Sequence, residues 1–204
     1  MDALALTPDA VASLVIAVSF AAGLNVYATV CSLGLMARLH WIVLPGELGA
    51  LAHTWIIVVS GVLFVLELFA DKIPGFDLIW NALHTFIRIP AAALMAYAAS
   101  SHLTPVQQML VTLIGGIIAA IAHSSKTAAR IAVTPSPEPA SNFALSSAED
   151  VGAIGLTWVA THHPIAAGIS VGTLSLGLVV ALWFTFARVW AALTRRFRQL
   201  REAW

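Results

Sequence analysis

The chain has 204 residues, of which 60% are hydrophobic and only 10% are charged, and its formal net charge is zero. Soluble domains carry about 25% charged residues, so this chain has too few charges to cover a water-exposed surface. The zero net charge also gives no indication of a nucleic-acid partner. We therefore expect an all-α, polytopic membrane helix bundle with about five or six spans, forming a single domain over residues 1–204.

The first predicted element covers residues 10–39, an apolar stretch whose only charge is Arg38. As one helix it would be about 45 Å long, whereas the hydrocarbon core of a bilayer is about 30 Å thick. The helix must therefore tilt or break. A break near Gly23 and Asn25 would give two half-helices, which a membrane tolerates only where the freed backbone groups face protein or a wet cavity. Gly23 and Asn25 are the candidate half-helix turn.

The second element, residues 51–70, contains Glu67 as its only charge, and Asp71 and Lys72 follow it directly. Glu67 and Asp71 are four residues apart and share a helix face, where like charges repel. Three arrangements relieve this repulsion. One carboxyl holds a proton, a cation bridges the two, or Lys72 and an arginine from another helix neutralise them. The first two arrangements indicate proton or cation handling, and the third is a structural ion pair.

Residues 76–88 form an amphipathic pattern with Asp77, Asn81, His84 and Arg88 on one stripe. One interpretation is a helix that lies at the membrane interface, anchored by its tryptophan. The other is that Asp77, His84 and Arg88 line a polar vestibule in which His84 titrates. The following residues, 89–101, are too few for a straight span, so we expect a short, tilted or re-entrant helix there.

The third apolar segment, residues 106–122, is opened by Thr104 and Pro105 as cap and first helical residue. Polar, mostly basic side chains recur beyond it on one helix face. They are His123, Lys126, Thr127 and Arg130. They either snorkel toward lipid headgroups, form an anion or phosphate site, or neutralise buried carboxylates. The carboxylates available for such pairing are Glu67, Asp71, Glu149 and Asp150.

Three prolines make residues 134–139 a stiff loop, because proline removes backbone donors and restricts the residue before it. Ser146 and Glu149 have the spacing of a capping box that would start the next helix. The last span, residues 165–187, has no charge and precedes an arginine-rich tail. That tail predicts a cytoplasmic C-terminus in contact with anionic lipid headgroups.

The sequence contains three weaker patterns. Residues 9–100 and 105–204 are faintly alike, which suggests an internal repeat, and such repeats are often inverted in transporters. Gly168 and Gly172 have the spacing of close helix packing. The adjacent histidines at 162 and 163 are a poor metal motif, because they point apart in a helix. We expect no metal ion and no cofactor, and we find no catalytic motif.

Several motifs together are similar to a known family. They are Gly23-Leu24-Asn25-Val26-Tyr27, Glu67-x-x-Ala70-Asp71-Lys72-Ile73-Pro74-Gly75-x-Asp77, His84-Thr85-x-x-Arg88, His123-x-x-Lys126, Arg130, Asn142 and Ser146-x-x-Glu149-Asp150. From about residue 15 to 165 the chain resembles the bacterial family called domain of unknown function 4126. Members often carry arginine where Asn25 stands, so the resemblance implies no charged role for this turn. It implies a bacterial multi-pass membrane protein without an established activity, and it adds Asn142 to the residues of interest.

The leading functional hypothesis is a small transporter or channel-like protein that moves a proton, an ion or a small anion, because acids and bases at membrane depth are costly and mark pathways. The candidate substrate or ion site comprises Glu67, Asp71, Lys72, Asp77, His84, Arg88, His123, Lys126, Arg130, Asn142, Glu149 and Asp150. A single site requires Glu67 to lie within about 10 Å of Lys126 and Arg130.

Two alternatives remain open at this point. One is a flippase or phosphatase for polyprenyl or phospholipid phosphate, with the phosphate held by Ser124, Ser125 and Lys126. The other is a structural or assembly protein whose ion pairs only set helix register. An enzyme is the less favoured class. We expect the bacterial cytoplasmic (inner) membrane as its location and membrane lipids as partners, and leave the oligomeric state open, a homo-oligomer included.

Overall fold

The computed structural model describes residues 7–70, 73, 76–133 and 139–202. Its helices, in chain order, are α1 (Pro8–Leu24), α2 (Val26–Arg38), α3 (Thr54–Ala70), α4 (Phe76–Ala99), α5 (Pro105–Val133), α6 (Pro139–His162) and α7 (Pro164–Glu202). A 3-10 helix, Gly46–Ala52, precedes α3. The described residues contain no strand, so the prediction of an all-α bundle is confirmed.

Three helices, α4, α5 and α7, are long and apolar enough to cross a membrane. A fourth span results if the 3-10 helix and α3, which are bent by 71° to each other, count as one. The sequence suggested about five or six spans. The count is lower by this criterion because α1 and α2, with 17 and 13 residues, are each too short to qualify.

Helix α1 lies at the centre of the bundle and packs against α2, α4, α5, α6 and α7. Its side chains from Ala10 to Gly23 are buried on nearly all sides. A helix that is apolar all round belongs in the interior of a bundle. Because α1 is central, backbone groups freed by a break in it face the surrounding helices.

The outer surface of the bundle is more apolar than that of a soluble protein. Large apolar side chains on the outer faces are exposed, among them Val62 on α3, Leu94 on α4 and Leu176 on α7. In contrast, Arg88 and Glu67 are fully buried. Charged side chains are almost never fully buried in soluble proteins unless paired. An apolar exterior around an interior that includes paired charges is compatible with a membrane protein.

The prediction of a separate interfacial helix at residues 76–88 is wrong, since α4 continues through Pro90 to Ala99 as one helix. Its polar stripe faces inward: Asn81, His84 and Arg88 are buried. The apolar side chains between them, such as Phe86, are exposed. The stripe finds partners inside the bundle, so the helix can cross the membrane instead of lying on it.

The capping-box prediction is also wrong, because α6 already begins at Pro139 and both Ser146 and Glu149 are buried within it. Proline at the first helical position is favourable, so the helix starts earlier. Residues 134–138 of the expected loop lie outside the described residues. The predicted start of α5 at Pro105 is confirmed, and the backbone N–H of Thr104 donates to Gln107 Oε1 at 3.2 Å.

Candidate functional site

The apolar stretch of residues 10–39 is broken at Asn25, which has extended backbone angles (φ −150°, ψ 103°) between α1 and α2. The Asn25 side chain caps α2, since its Oδ1 accepts from the N–H of Ala28 at 2.9 Å. In an unbroken helix that N–H would donate to the carbonyl of Leu24. The break therefore frees the Leu24 carbonyl, which is the last carbonyl of α1.

Gly23 brings α5 against this break. A Cβ at Gly23 would lie 2.5 Å from the carbonyl oxygen of Ala119 and 2.7 Å from the Cβ of Ala122. Only glycine permits so close an approach of two helix backbones. Lys126 follows Ala122 by one turn of α5, and its Nζ donates to the freed Leu24 carbonyl at 3.0 Å.

The Lys126 ammonium also lies between two carboxylates. Its Nζ is 3.7 Å from Glu67 Oε1 on α3 and 3.1 Å from Glu149 Oε2 on α6. Lys126 is buried, so the snorkelling interpretation is wrong for this side chain. Glu67 therefore lies well within about 10 Å of Lys126, as a single site requires. Because both carboxylates contact the same ammonium, Glu67 Oε1 and Glu149 Oε2 also lie close to each other.

Each glutamate additionally has its own arginine. Arg88 on α4 forms an ion pair with Glu67. Arg130 on α5 forms one with Glu149, with Nη2 2.5 Å from Oε2. The result is a continuous series of alternating charges from α4 to α5, which we call the charge chain. Its members are Arg88, Glu67, Lys126, Glu149 and Arg130.

Asp150 ties the charge chain to the helix break, because Asn25 Nδ2 donates to Asp150 Oδ1 at 2.8 Å. Asp150 neighbours Glu149 in α6 and is buried. With Asp150 included, this centre holds three carboxylates and three basic side chains among the described residues. It is therefore formally neutral.

His123 contacts Arg88 at one end of the charge chain, and its hydrogen bonds assign the position of its proton. His123 Nδ1 lies 3.2 Å from Arg88 Nη1, which can only donate, so Nδ1 accepts. The other ring nitrogen, Nε2, lies 2.7 Å from Thr85 Oγ1. An accepting Nδ1 means that the His123 ring is neutral in this arrangement. Arg88 Nη1 also donates to Asn81 Oδ1 at 3.2 Å.

His84 links this region to α2. Its Nδ1 lies 2.7 Å from the carbonyl oxygen of Trp80 and must donate, because a carbonyl only accepts. In the neutral ring the other nitrogen, Nε2, accepts from the Tyr27 hydroxyl at 3.2 Å. Tyr27 is the second residue of α2. Polar side chains from the surrounding helices therefore contact residues on both sides of the helix break.

Some buried carboxylate oxygens lack a donor. Within the described residues, Glu67 Oε2 and Glu149 Oε1 have no hydrogen-bond partner. A buried acceptor without a donor costs about 1–3 kcal/mol, and more when it is charged. Such oxygens are rare in folded proteins, where a buried acceptor usually binds a donor, an ion or a water molecule.

The structure brings eight of the twelve candidate residues into one cluster around the helix break. They are Glu67, His84, Arg88, His123, Lys126, Arg130, Glu149 and Asp150. Asp71 and Lys72 lie outside the described residues, as do the side chains of Asp77 and Asn142.

The list of candidates omitted three residues that the structure adds: Tyr27, Asn81 and Thr85. Asn81 belongs to the polar stripe that helical periodicity gives to α4, although it was not counted in the candidate site. Tyr27 lies beyond Asn25, whose extended backbone interrupts the helical periodicity of residues 10–39. The described part of the chain contains no group of three His, Cys, Asp or Glu side chains that could hold a metal ion.

Comparison with known proteins gives a family but no characterised relative. No curated protein and no solved structure matches the chain. A family model matches residues 12–185, which include the helix break and every member of the charge chain. The chain therefore belongs to the family described as Domain of unknown function (DUF4126).

Proposed function

We propose that this protein is a small membrane transporter that moves a proton or a small cation through the charge chain. The observation that carries the proposal is the position of Lys126. Its ammonium is shared by Glu67, Glu149 and the freed Leu24 carbonyl at the end of a broken helix. Transporters commonly build their ion sites from discontinuous helices whose C-terminal carbonyls face the cation.

The cost of the charges supports function over mere packing. Arg88, Lys126 and Arg130 lie within helices long and apolar enough to span a membrane. Insertion of one charge at membrane depth costs at least about 2.5 kcal/mol, and well-packed apolar side chains often replace buried ion pairs without loss of stability. Three basic side chains in such helices, together with the glutamates that pair with them, are more than helix register requires.

The geometry favours a cation or proton over a phosphate. Lys126, which the lipid-phosphate hypothesis would use, is already held by two carboxylates that would repel a phosphate. Both arginines of the chain are also paired with glutamates. We place the protein in the cytoplasmic membrane, with the arginine-rich end of α7 in the cytoplasm, as part of the same proposal.

The test is reconstitution of the purified protein in liposomes with an interior pH dye, under Na⁺, K⁺, Cl⁻ and pH gradients. We expect a gradient-dependent flux from the wild type and at least a tenfold loss in Lys126→Met. In this variant Glu67 keeps Arg88 and Glu149 keeps Arg130, so folding should be retained. Glu47→Gln, at an exposed glutamate, is the control and should transport normally.

The double variant Glu67→Gln/Lys126→Met separates chemistry from packing. It removes one charge of each sign and leaves the centre neutral, so it should fold, as checked by size exclusion and thermal unfolding, yet carry no flux. Recovery of flux in the double variant would mean that the charges only balance each other. Absence of flux from the folded wild type under every gradient would reject the proposal.

A further inference from the structure

We infer that a groove on the membrane-facing side of the bundle binds one hydrocarbon chain of a membrane phospholipid. The groove lies between α3 and α4 and has α2 as its floor. None of its lining residues belongs to the charge chain, so the groove is separate from the proposed transport path.

The direction of α2 explains why a groove is present. Leu14 of α1 lines a common cavity with residues 41–44, which follow α2. In one straight helix, Leu14 and Trp41 would be about 40 Å apart at 1.5 Å per residue. Leu48 likewise lines a small cavity with Leu14 and with Ala99, the last residue of α4. Helix α2 therefore turns back toward the end of the bundle where α1 begins, and the two form a re-entrant hairpin.

The returning arm of this hairpin separates α3 from α4. Helix α2 has 13 residues, about 20 Å at 1.5 Å per residue, which is less than the thickness of the hydrocarbon core. Helix α3 packs mainly on α2, where a Cβ at Gly61 would lie 3.6 Å from Cys31 Sγ, and it contacts α4 only slightly. The gap between α3 and α4 is therefore open on its outer side.

The groove is large enough for a ligand. Its volume is about 480 Å³, within the range of about 300–1,000 Å³ that is typical of ligand pockets. Its lining is predominantly apolar and comes from three helices. The floor includes Tyr27 and Val30 of α2, and the walls include Val59 and Leu63 of α3 and Ala91 and Leu94 of α4.

The hydroxyl groups beside the groove have partners within the bundle. Tyr27 and Ser60 are the lining residues that carry hydroxyls. Ser60 Oγ donates to the carbonyl oxygen of Ile56 at 2.7 Å, and the Tyr27 hydroxyl donates to His84 Nε2 at 3.2 Å. A polar ligand would find few free partners here, whereas a hydrocarbon needs none. The lining therefore favours a hydrocarbon chain.

The position of the groove fits a phospholipid. It begins beside Trp55, the second residue of α3, and reaches Leu63, about 12 Å farther along that helix. Trp55 is exposed, and exposed tryptophans are enriched at the membrane interface. At the rim, Val59 and Leu94 are exposed and continue the apolar outer surface. A phospholipid whose headgroup lies at the level of Trp55 would place its chain along the groove.

A helix from a second copy of the chain is too wide to enter the groove. An α-helix with its side chains is about 10 Å across, so a 12 Å length of it fills roughly 900 Å³. The groove has about half of this volume. A hydrocarbon chain is thinner, and by filling the groove it supplies the van der Waals contacts that an empty space beside the apolar walls would lack.

The experiment places the full chain in phospholipid nanodiscs that contain a phosphatidylcholine with a diazirine in its acyl chain. Peptide mass spectrometry locates the adducts after illumination. We expect adducts on the half-buried floor residues Tyr27 and Val30, in addition to adducts on the exposed side chains Val62 and Leu176. Leu33, on the buried side of α2, should carry none.

Two substitutions fill the groove from opposite walls. Ala91→Trp and Leu63→Trp should each lower the floor adducts about tenfold, equivalent to about 1.4 kcal/mol of binding. Adducts on Leu176 should not change. Val62→Trp, at an exposed position of α3, is the matched control and should leave the floor adducts unchanged. Size exclusion checks folding, and the wild-type adduct pattern does not depend on any variant.

Two results would overturn the inference. One is floor adducts no more frequent in the wild type than those on Leu33, and the other is floor adducts that persist in both folded tryptophan variants. Disulfide-linked dimers of Val59→Cys in a Cys31→Ala background, without floor adducts in the wild type, would assign the groove to a second copy of the chain.

Discussion

From the N-terminal, apolar end of α1 to Ser19 the neighbouring helices approach through small side chains, whereas near its C-terminal end such a close contact, at Gly23, is combined with buried charges. A Cβ at Gly168 of α7 would lie 2.6 Å from the Cβ of Ser13, and one at Gly115 of α5 would lie 2.9 Å from Ser19 Oγ. Near residue 24 the contacts are instead Lys126 to the Leu24 carbonyl and Asn25 to Asp150.

Small residues alone suffice to hold helices together in a bilayer, because they let backbones approach closely. The contacts of Ser13 and Ser19 show that this chain uses such packing. At the break, buried charges are present in addition to the close contact of Gly23. The following three comparisons test what each kind of contact contributes to stability.

The largest effect is expected at the charged end, from Glu67→Gln. The change leaves Arg88 and Lys126 with one fewer buried counter-charge, and removal of one partner from a buried ion pair costs about 3–5 kcal/mol. Denaturant unfolding in micelles measures the loss. Glu47→Gln, at an exposed position, is the matched control and should change stability little. Equal stability of the two variants would show that the charge chain is not an electrostatic unit.

A smaller effect is expected at the apolar end, from Gly168→Leu. Any side chain there meets the backbone of Ser13, whose Cα would be 2.7 Å from the new Cβ. We expect a loss of about 3 kcal/mol, at the upper end of the range for overpacking. Gly172→Leu, one turn later on α7, is the control, since nothing lies within 4 Å of its Cβ position. If both variants unfold at the same temperature, the close contact of α1 and α7 is not what stabilises this end.

The smallest effect is expected from a comparison of the two helix caps. Asn25→Ala removes the cap of α2 and the hydrogen bond to Asp150, for a loss of about 2 kcal/mol. Thr7→Ala removes the cap of α1, where Thr7 Oγ1 accepts from Ala10 at 3.4 Å, and should cost about 0.5 kcal/mol. Thermal unfolding of both variants gives the difference. A larger loss from Thr7→Ala would contradict the central role assigned to the break.

Sequence patterns predicted the local features well. The length of residues 10–39 against the bilayer thickness predicted a break at Asn25 as one of two outcomes, and the structure has it. The glycine pair on α7 was correctly assigned to close packing for Gly168, although Gly172 meets nothing. The internal repeat stays a prediction.

Two local predictions failed because tertiary partners outweighed a local motif. One of the two interpretations placed the polar stripe of α4 at the membrane interface, but Glu67 and His123 give Arg88 partners inside the bundle. Ser146 and Glu149 were assigned to a helix start, but Glu149 is held within α6 by Arg130. A local sequence motif contains only residues that are close in the chain. It therefore cannot predict an ion pair or hydrogen bond with a residue on another helix.

The sequence by itself determined which segments are apolar, where proline starts a helix, and which charged residues lie within or beside the apolar segments. Only the tertiary structure decided how those charges combine. Lys126 meets Glu67 and Glu149 because Gly23 lets α5 approach α1, and because Asn25 frees a carbonyl that needs a donor. The physical reason is range: hydrophobicity and helix starts are set by neighbouring residues, whereas ion pairing depends on which helices lie within a few ångströms of one another.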